Sequence, residues 1–246
     1  MKILYYDCFA GISGDMNLGA LLDLGIDEKY LVRELGKLNL NGYEIKVSRG
    51  IRKGIEGTKV DVLLQEHNHE HSHEDVSELN IHGHHHDDNH KHLHNESEGE
   101  HMHVKAGSEH IHKDQRNLND IKEIINSSEL SSKVKELSMK IFMKVALAEA
   151  KVHGKPLYDI HFHEVGAVDS IVDIVGAAIC LIYLNVDKIM SSAVELGGGF
   201  VKCAHGTIPV PAPATVEILK GIPVKLGAVP FETTTPLGQP FLQLMS

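Results

Sequence analysis

The 246-residue chain has no tryptophan, and aromatic residues make up only 5% of it. A surface that stacks bases or settles at the level of lipid headgroups needs such rings, so neither nucleic acid nor a membrane interface is an expected partner. No run of about 18 apolar residues occurs, which argues against a membrane-spanning helix. Only three cysteines are present, Cys8, Cys180 and Cys203. Odd in number and far apart, they do not make a disulfide framework, and a reducing cytoplasm fits them. Met1-Lys2-Ile3-Leu4-Tyr5-Tyr6-Asp7 reaches an acid too early for a secretory signal and reads as a first strand. A basic face is missing as well. The net charge is -10, which again disfavours nucleic acid.

That charge is unevenly placed. Between His67 and His112 stand ten acidic and two basic residues, a balance of -8, which leaves the rest of the chain at about -2. Fifteen of the nineteen histidines lie in the same stretch. Apolar residues there are too few to offset the entropy of ordering, so residues 67–113 are predicted to be a disordered, histidine-rich insert. Residues 1–66 and 114–246 are predicted to form one α/β domain, a mixed sheet flanked by helices, and α+β remains open as the alternative class.

Within it, Lys2–Phe9 reads as a buried strand, and Met16–Leu24 as a short helix closed by Gly25. A second helix starts at the cap Asp27 and runs to Leu38. Period-two alternation over Tyr43–Val47 and Thr58–Leu64 predicts paired strands. Leu130, Val134, Leu137, Ile141, Val145, Ala148 and Val152 recur at steps of three and four, one apolar stripe on a long helix stopped by Gly154 and Pro156. Ser170 opens an apolar helix to Leu184, Lys188–Leu196 is a strand, and Pro213 starts a helix to Lys220. Ile222–Leu226 reads as a further strand.

Four groups carry chemistry. The insert, with the cluster His84-His85-His86, offers many neutral imidazoles, good ligands for nickel and its neighbours, though a solubilising linker would look similar. In Asp159-Ile-His161-Phe-His163-Glu164, the two histidines share one side of an extended segment, and Glu164 adds an oxygen ligand or a base. Asp169 and Asp173, four apart, share a helix face. Ser170-x-x-Asp173 also reads as a capping box. The turn Asp7-Cys8-Phe9-Ala10-Gly11-Ile12-Ser13-Gly14-Asp15 places glycines and free amides at a helix start, which suits an anion, with Asp7 and Asp15 positioned for a divalent ion. No Gly-Lys-Ser/Thr follows, so it is not a P-loop. Finally, Gly197-Gly198-Gly199 and His205-Gly206 suggest a ligand-facing loop.

The blocks YYDCFAGISGDMNLGALLDLG (Tyr5–Gly25), HFHEVGAVDSIVDIVG (His161–Gly176) and GGGFVKCAHGTIPVPAPAT (Gly197–Thr215), in this order around a histidine-rich insert, resemble the LarC family of nickel-insertion proteins. The resemblance implies a CTP- and Mn²⁺-using enzyme, a nickel chelatase of the lyase class. It places nickel into pyridinium-3,5-bisthiocarboxylic acid mononucleotide through Ni–S bonds and one Ni–C bond. The product is the nickel-pincer cofactor of lactate racemase-type enzymes. Family members continue into a C-terminal CTP-binding domain, encoded in some as a second reading frame, and this part is expected as a partner beside possible self-association. On that reading His161 or His163 holds nickel, Glu164 takes the displaced proton, and Gly11, Ser13, Gly14 and His205 contact the substrate. Asp7, Asp15, Asp169, Asp173 and His84–His86 are further metal ligands. A non-catalytic nickel store and a metal-dependent hydrolase built on His161, His163 and Glu164 are the competing readings.

Overall fold

Helix α5 (Val168–Leu184) organises the fold because it is apolar nearly all round: every residue from Ser170 to Leu181 is buried. A helix with no polar face has to be covered on all sides. The computed structural model covers it with α1 (Gly14–Asp23), α2 (Glu28–Leu35) and α4 (Ser132–His153). It describes residues 1–64, 116–162, 165–203 and 205–243. The predicted insert with His84, His85 and His86, and the pair His163–Glu164, lie outside the described residues. Met1–Glu66 and Lys113–Ser246 form one compact unit.

Local chemistry sets most of the boundaries. Asp27 accepts from the amide of Lys29 at 3.1 Å and caps α2. Ser131 caps α4, which closes on Gly154 in the left-handed conformation at φ 60°. The predicted stripe is core at Leu130, which lies before the cap of α4, and on α4 at Val134, Ile141, Val145 and Ala148, whereas Val152 is exposed and lines a cleft. Helix α3 (Leu118–Ser127) was not anticipated. Its signal is the capping box of Asn117 and Asp120, in which each side chain accepts from the other's backbone amide. A short helix, α6 (Pro213–Ile218), begins on its proline as predicted.

The chain is mixed α/β. Among the described residues its strands pair in four two-stranded ladders. Two are parallel: β1 (Ile3–Tyr6) with β4 (Lys188–Ser191), and β5 (Val194–Glu195) with β8 (Val224–Lys225). Two are antiparallel: β2 (Tyr43–Arg52) with β3 (Ile55–Leu64), and β6 (Phe200–Cys203) with β7 (Gly206–Pro209). The predicted strand Lys188–Leu196 is therefore two strands with different partners. It breaks at Ser192: the amide still donates to the Tyr6 carbonyl at 2.9 Å, and the hydroxyl then accepts from the Cys8 amide at 2.8 Å. The β6–β7 hairpin was not among the predicted strands. No helix of the described residues is long and apolar enough to cross a membrane.

Candidate functional site

The stretch after β1 is fixed by its own chain. Gly11, at φ +86°, donates to the Cys8 carbonyl at 3.0 Å. Ile12 donates to the Thr233 carbonyl at 3.0 Å, and Thr235 donates back to the Ile12 carbonyl at 3.1 Å. A β-carbon on Gly11 would stand 2.0 Å from the Thr233 oxygen. Gly11 thus makes a close approach to the chain's own backbone. The Thr233 and Thr234 hydroxyls donate in turn to the Glu195 carbonyl at 2.8 and 2.6 Å. Gly197, at φ +74°, likewise packs against its own chain: a β-carbon there would lie 1.8 Å from the Phe231 oxygen. Cys8 is buried, and burial, with the Asp7 charge adding to it, pushes its thiol up to about 11.

This latch delivers the start of α1 to the side of α5. Ser13 occupies the N-cap with no side-chain capping bond; its hydroxyl donates to Asp15 Oδ1. Facing it are Asp169 and Asp173, one helical turn apart. Helix α5 begins before Ser170, with Ala167 as N-cap and no side-chain cap, so the predicted Ser170–Asp173 capping box does not form. The Asp173 carboxylate instead lies over Gly14, where an added β-carbon would stand 2.2 Å from Oδ2. Asp173 is 8% exposed, and its carboxyl is raised to about 8, first by burial and then by the charges of Asp15 and Asp169. Asp173 Oδ1 and Thr235 Oγ1 have no hydrogen-bond partner among the described residues. Both residues line the same cleft. An unsatisfied buried oxygen costs about 1–3 kcal/mol, a cost that a bound cation or donor would remove.

The cleft holds about 740 Å³. Ser13, Gly14, Asp15, Asp169 and Asp173 line one part of it, and Val60, Val62, Phe162 and Val165 give it apolar walls. Another wall is built by the β6–β7 hairpin, through Cys203 and His205, and by the last turns of α4, through Glu149 and His153. Sequence reasoning passed over Glu149 and His153, because their helix reads as core. It also passed over Asp61, Lys202 and Glu232, which line the cleft too. A Gly14→Ala substitution is expected to push the Asp173 carboxylate aside. It should cost about 1–3 kcal/mol of stability, as overpacking does. Thermal melts of the two proteins measure it, and an unchanged Tm would contradict the close approach of Asp173 to Gly14.

The match to the nickel insertion protein family runs over residues 4–246. The chain belongs to that family. It is 62% identical over 243 residues to the pyridinium-3,5-bisthiocarboxylic acid mononucleotide nickel insertion protein of Clostridium acetobutylicum, covering 98% of this chain and 55% of the relative. The protein of the same name from Clostridium kluyveri is 55% identical over 246 residues, 98% of this chain and 53% of the relative. That of Geobacillus kaustophilus is 47% identical over 239 residues, 97% and 49%. The chain spans about half the length of these relatives. No solved structure matches it. In this member of the nickel insertion protein family, the cleft gathers Ser13, Gly14, Asp15, Asp169, Asp173 and His205 of the residues singled out from sequence. Asp7, Gly11 and His161 are not among its lining residues. Asp7 and His161 are exposed, and it is Phe162 that is buried in the cleft wall.

Proposed function

We propose that this chain is the part of a cytoplasmic nickel chelatase that holds pyridinium-3,5-bisthiocarboxylic acid mononucleotide while nickel is inserted. The observation that carries the reading is the 62% identity to a relative named for that insertion. The cleft supports it in kind. A mononucleotide phosphate suits the free amides at the start of α1. Beside three carboxylates it would be repelled unless a hard divalent ion lay between them; Asp15, Asp169 and Asp173 are the proposed oxygen ligands for a Mn²⁺-class ion, and among the described residues they do not surround one point until their side chains turn. Binding of such an ion displaces the proton that Asp173 otherwise keeps at neutral pH.

Replacing one C–H bond by C–Ni releases one proton and changes no oxidation state, so the reaction needs a base and a positioned metal and no redox partner. Glu164 is the proposed base. CTP and Mn²⁺ are the proposed co-reactants of the remaining part of the protein, whether joined in one chain or supplied as a second reading-frame product. The test combines this chain, with and without that part, with Ni²⁺, CTP, Mn²⁺ and the bisthiocarboxylate nucleotide. The expected result is a product heavier by nickel less its displaced protons; its absence in the complete mixture refutes the reading. A non-catalytic nickel store is the second reading, favoured by the fifteen histidines of the insert. Deleting Glu66–Lys113 separates the two: the enzyme keeps its turnover when nickel is in excess, whereas a store loses its function.

A further inference from the structure

The wall of the cleft away from the carboxylates carries different chemistry. Cys203, partly buried at the end of β6, stands beside His205 across the hairpin turn, with Sγ 4.0 Å from Nδ1. The His205 ring lies 5.0 Å from the ring of His153, centroid to centroid. His153 Nε2 is 3.3 Å from Glu149 Oε2, one turn earlier on α4. All four residues line the cleft. Among the described residues no three such groups already surround one point. The two rings are tilted by 39°, and convergence requires turning side chains about χ1 and χ2. That is a small cost at the tip of a two-stranded hairpin, where His205 is exposed.

We propose that Cys203, His205 and His153 form a docking site for one borderline-soft divalent ion, nickel as cargo, with Glu149 fixing the His153 ring. A thiolate and imidazoles suit nickel, whereas the three-carboxylate end suits a hard ion, so the two parts of the cleft sort two metals by ligand type. A histidine ligand whose second nitrogen meets a carboxylate is held in tautomer and orientation, the part assigned to Glu149. Nickel so placed leaves positions open for the sulfur atoms of the substrate, and the ion passes from protein thiolate to thiocarboxylate by ligand exchange. Naming nickel as the cargo rests on the proposed function; the ligand set does not.

The test is a titration of the intact chain with NiSO₄, read as the sulfur-to-nickel charge-transfer absorption in the near ultraviolet. The insert contains no cysteine, so its histidines are silent in this band. Cys8 and Cys180 are buried with thiols raised to about 11 and about 12. The expected band saturates at one equivalent, and Cys203→Ser abolishes it. His153→Gln and His205→Gln should each weaken the nickel affinity read from it by at least about 10-fold, and Glu149→Gln by about 10–100-fold. In the unsubstituted chain, one equivalent of nickel should also slow alkylation of Cys203 by iodoacetamide, a reading that does not depend on any variant folding. No band, a band that survives Cys203→Ser, or one indifferent to both histidine substitutions overturns the site. A band without insertion in the complete mixture refutes the proposed function and leaves the site standing. Insertion without a band does the reverse.

Discussion

Replacing Asp173 by Asn is expected to make the protein more stable at pH 8 and to change its stability little at pH 4. The carboxyl of Asp173 is raised to about 8 in the folded chain, against about 4 in an unfolded one. Below pH 4 it is protonated in both states and contributes nothing to the difference. Between pH 4 and pH 8 the unfolded chain ionises and the folded chain does not, so the unfolded chain binds fewer protons and stability falls as pH rises. The slope reaches about 1.4 kcal/mol per pH unit. Above pH 8 the full penalty remains, several kcal/mol in a fold whose whole stability is of order 5–15 kcal/mol. Asparagine cannot ionise and escapes it. Guanidinium unfolding of both proteins at pH 4, 6 and 8 should show the difference widening with pH; a constant difference would mean that Asp173 titrates normally. The gain should carry a loss. If the proposed function holds, the unsubstituted protein should recover stability with Mn²⁺ in the buffer as the ion takes the place of the proton, and Asp173→Asn should respond far less and lose insertion.

Gly11→Ala should unfold the front of the cleft. An L-residue at φ +86° costs about 1–3 kcal/mol by itself. The new methyl group would also overlap the Thr233 carbonyl, 2.0 Å away. Relief of that overlap parts the reciprocal Ile12–Thr233 and Thr235–Ile12 hydrogen bonds, each worth about 1 kcal/mol. A total of about 4 kcal/mol is expected, together with loss of insertion, because the same latch holds Gly14 and Asp15 against Asp173. Gly42→Ala is the matched control. Gly42 has the same φ of +86° but nothing within 4 Å of an added β-carbon, so it should show the backbone cost alone. Equal shifts in Tm for the two variants would show that the latch contributes nothing.

Much of this was legible in the residue pattern, and the limits are physical. The long stripe of α4 and the all-apolar α5 declare themselves because burial repeats along each helix. The acids Asp169 and Asp173 could be paired, since four residues make one helical turn. Their meeting with Asp15 could not be read that way: it depends on where α1 docks on α5, and no local period encodes a docking. The same holds for His153. It ends a helix that reads as core, and only the folded hairpin brings His205 beside it. Gly11 and Gly197 were read as room for a ligand, yet each makes room for its own chain. From sequence, a glycine announces a close approach without naming what approaches.

One junction has a consequence for nickel supply. Strand β3 lines the cleft at Val60–Val62 and ends at Leu64. The chain is described again from Arg116, whose guanidinium donates to the Gly166 carbonyl at 2.8 Å and whose carbonyl accepts from the amide of Phe162, a cleft wall, at 3.0 Å. Residues 65–115 are therefore joined at both ends to segments that also carry cleft-wall residues, Val62 on one side and, through Arg116, Phe162 on the other. No histidine among them is more than about 26 residues from one of these anchors, at most about 90 Å even for a fully extended chain. One ion confined to a sphere of that radius is at a concentration of roughly 0.5 mM. Any ion these histidines take up is thus presented to the cleft at no less than that concentration, however little nickel is free in solution.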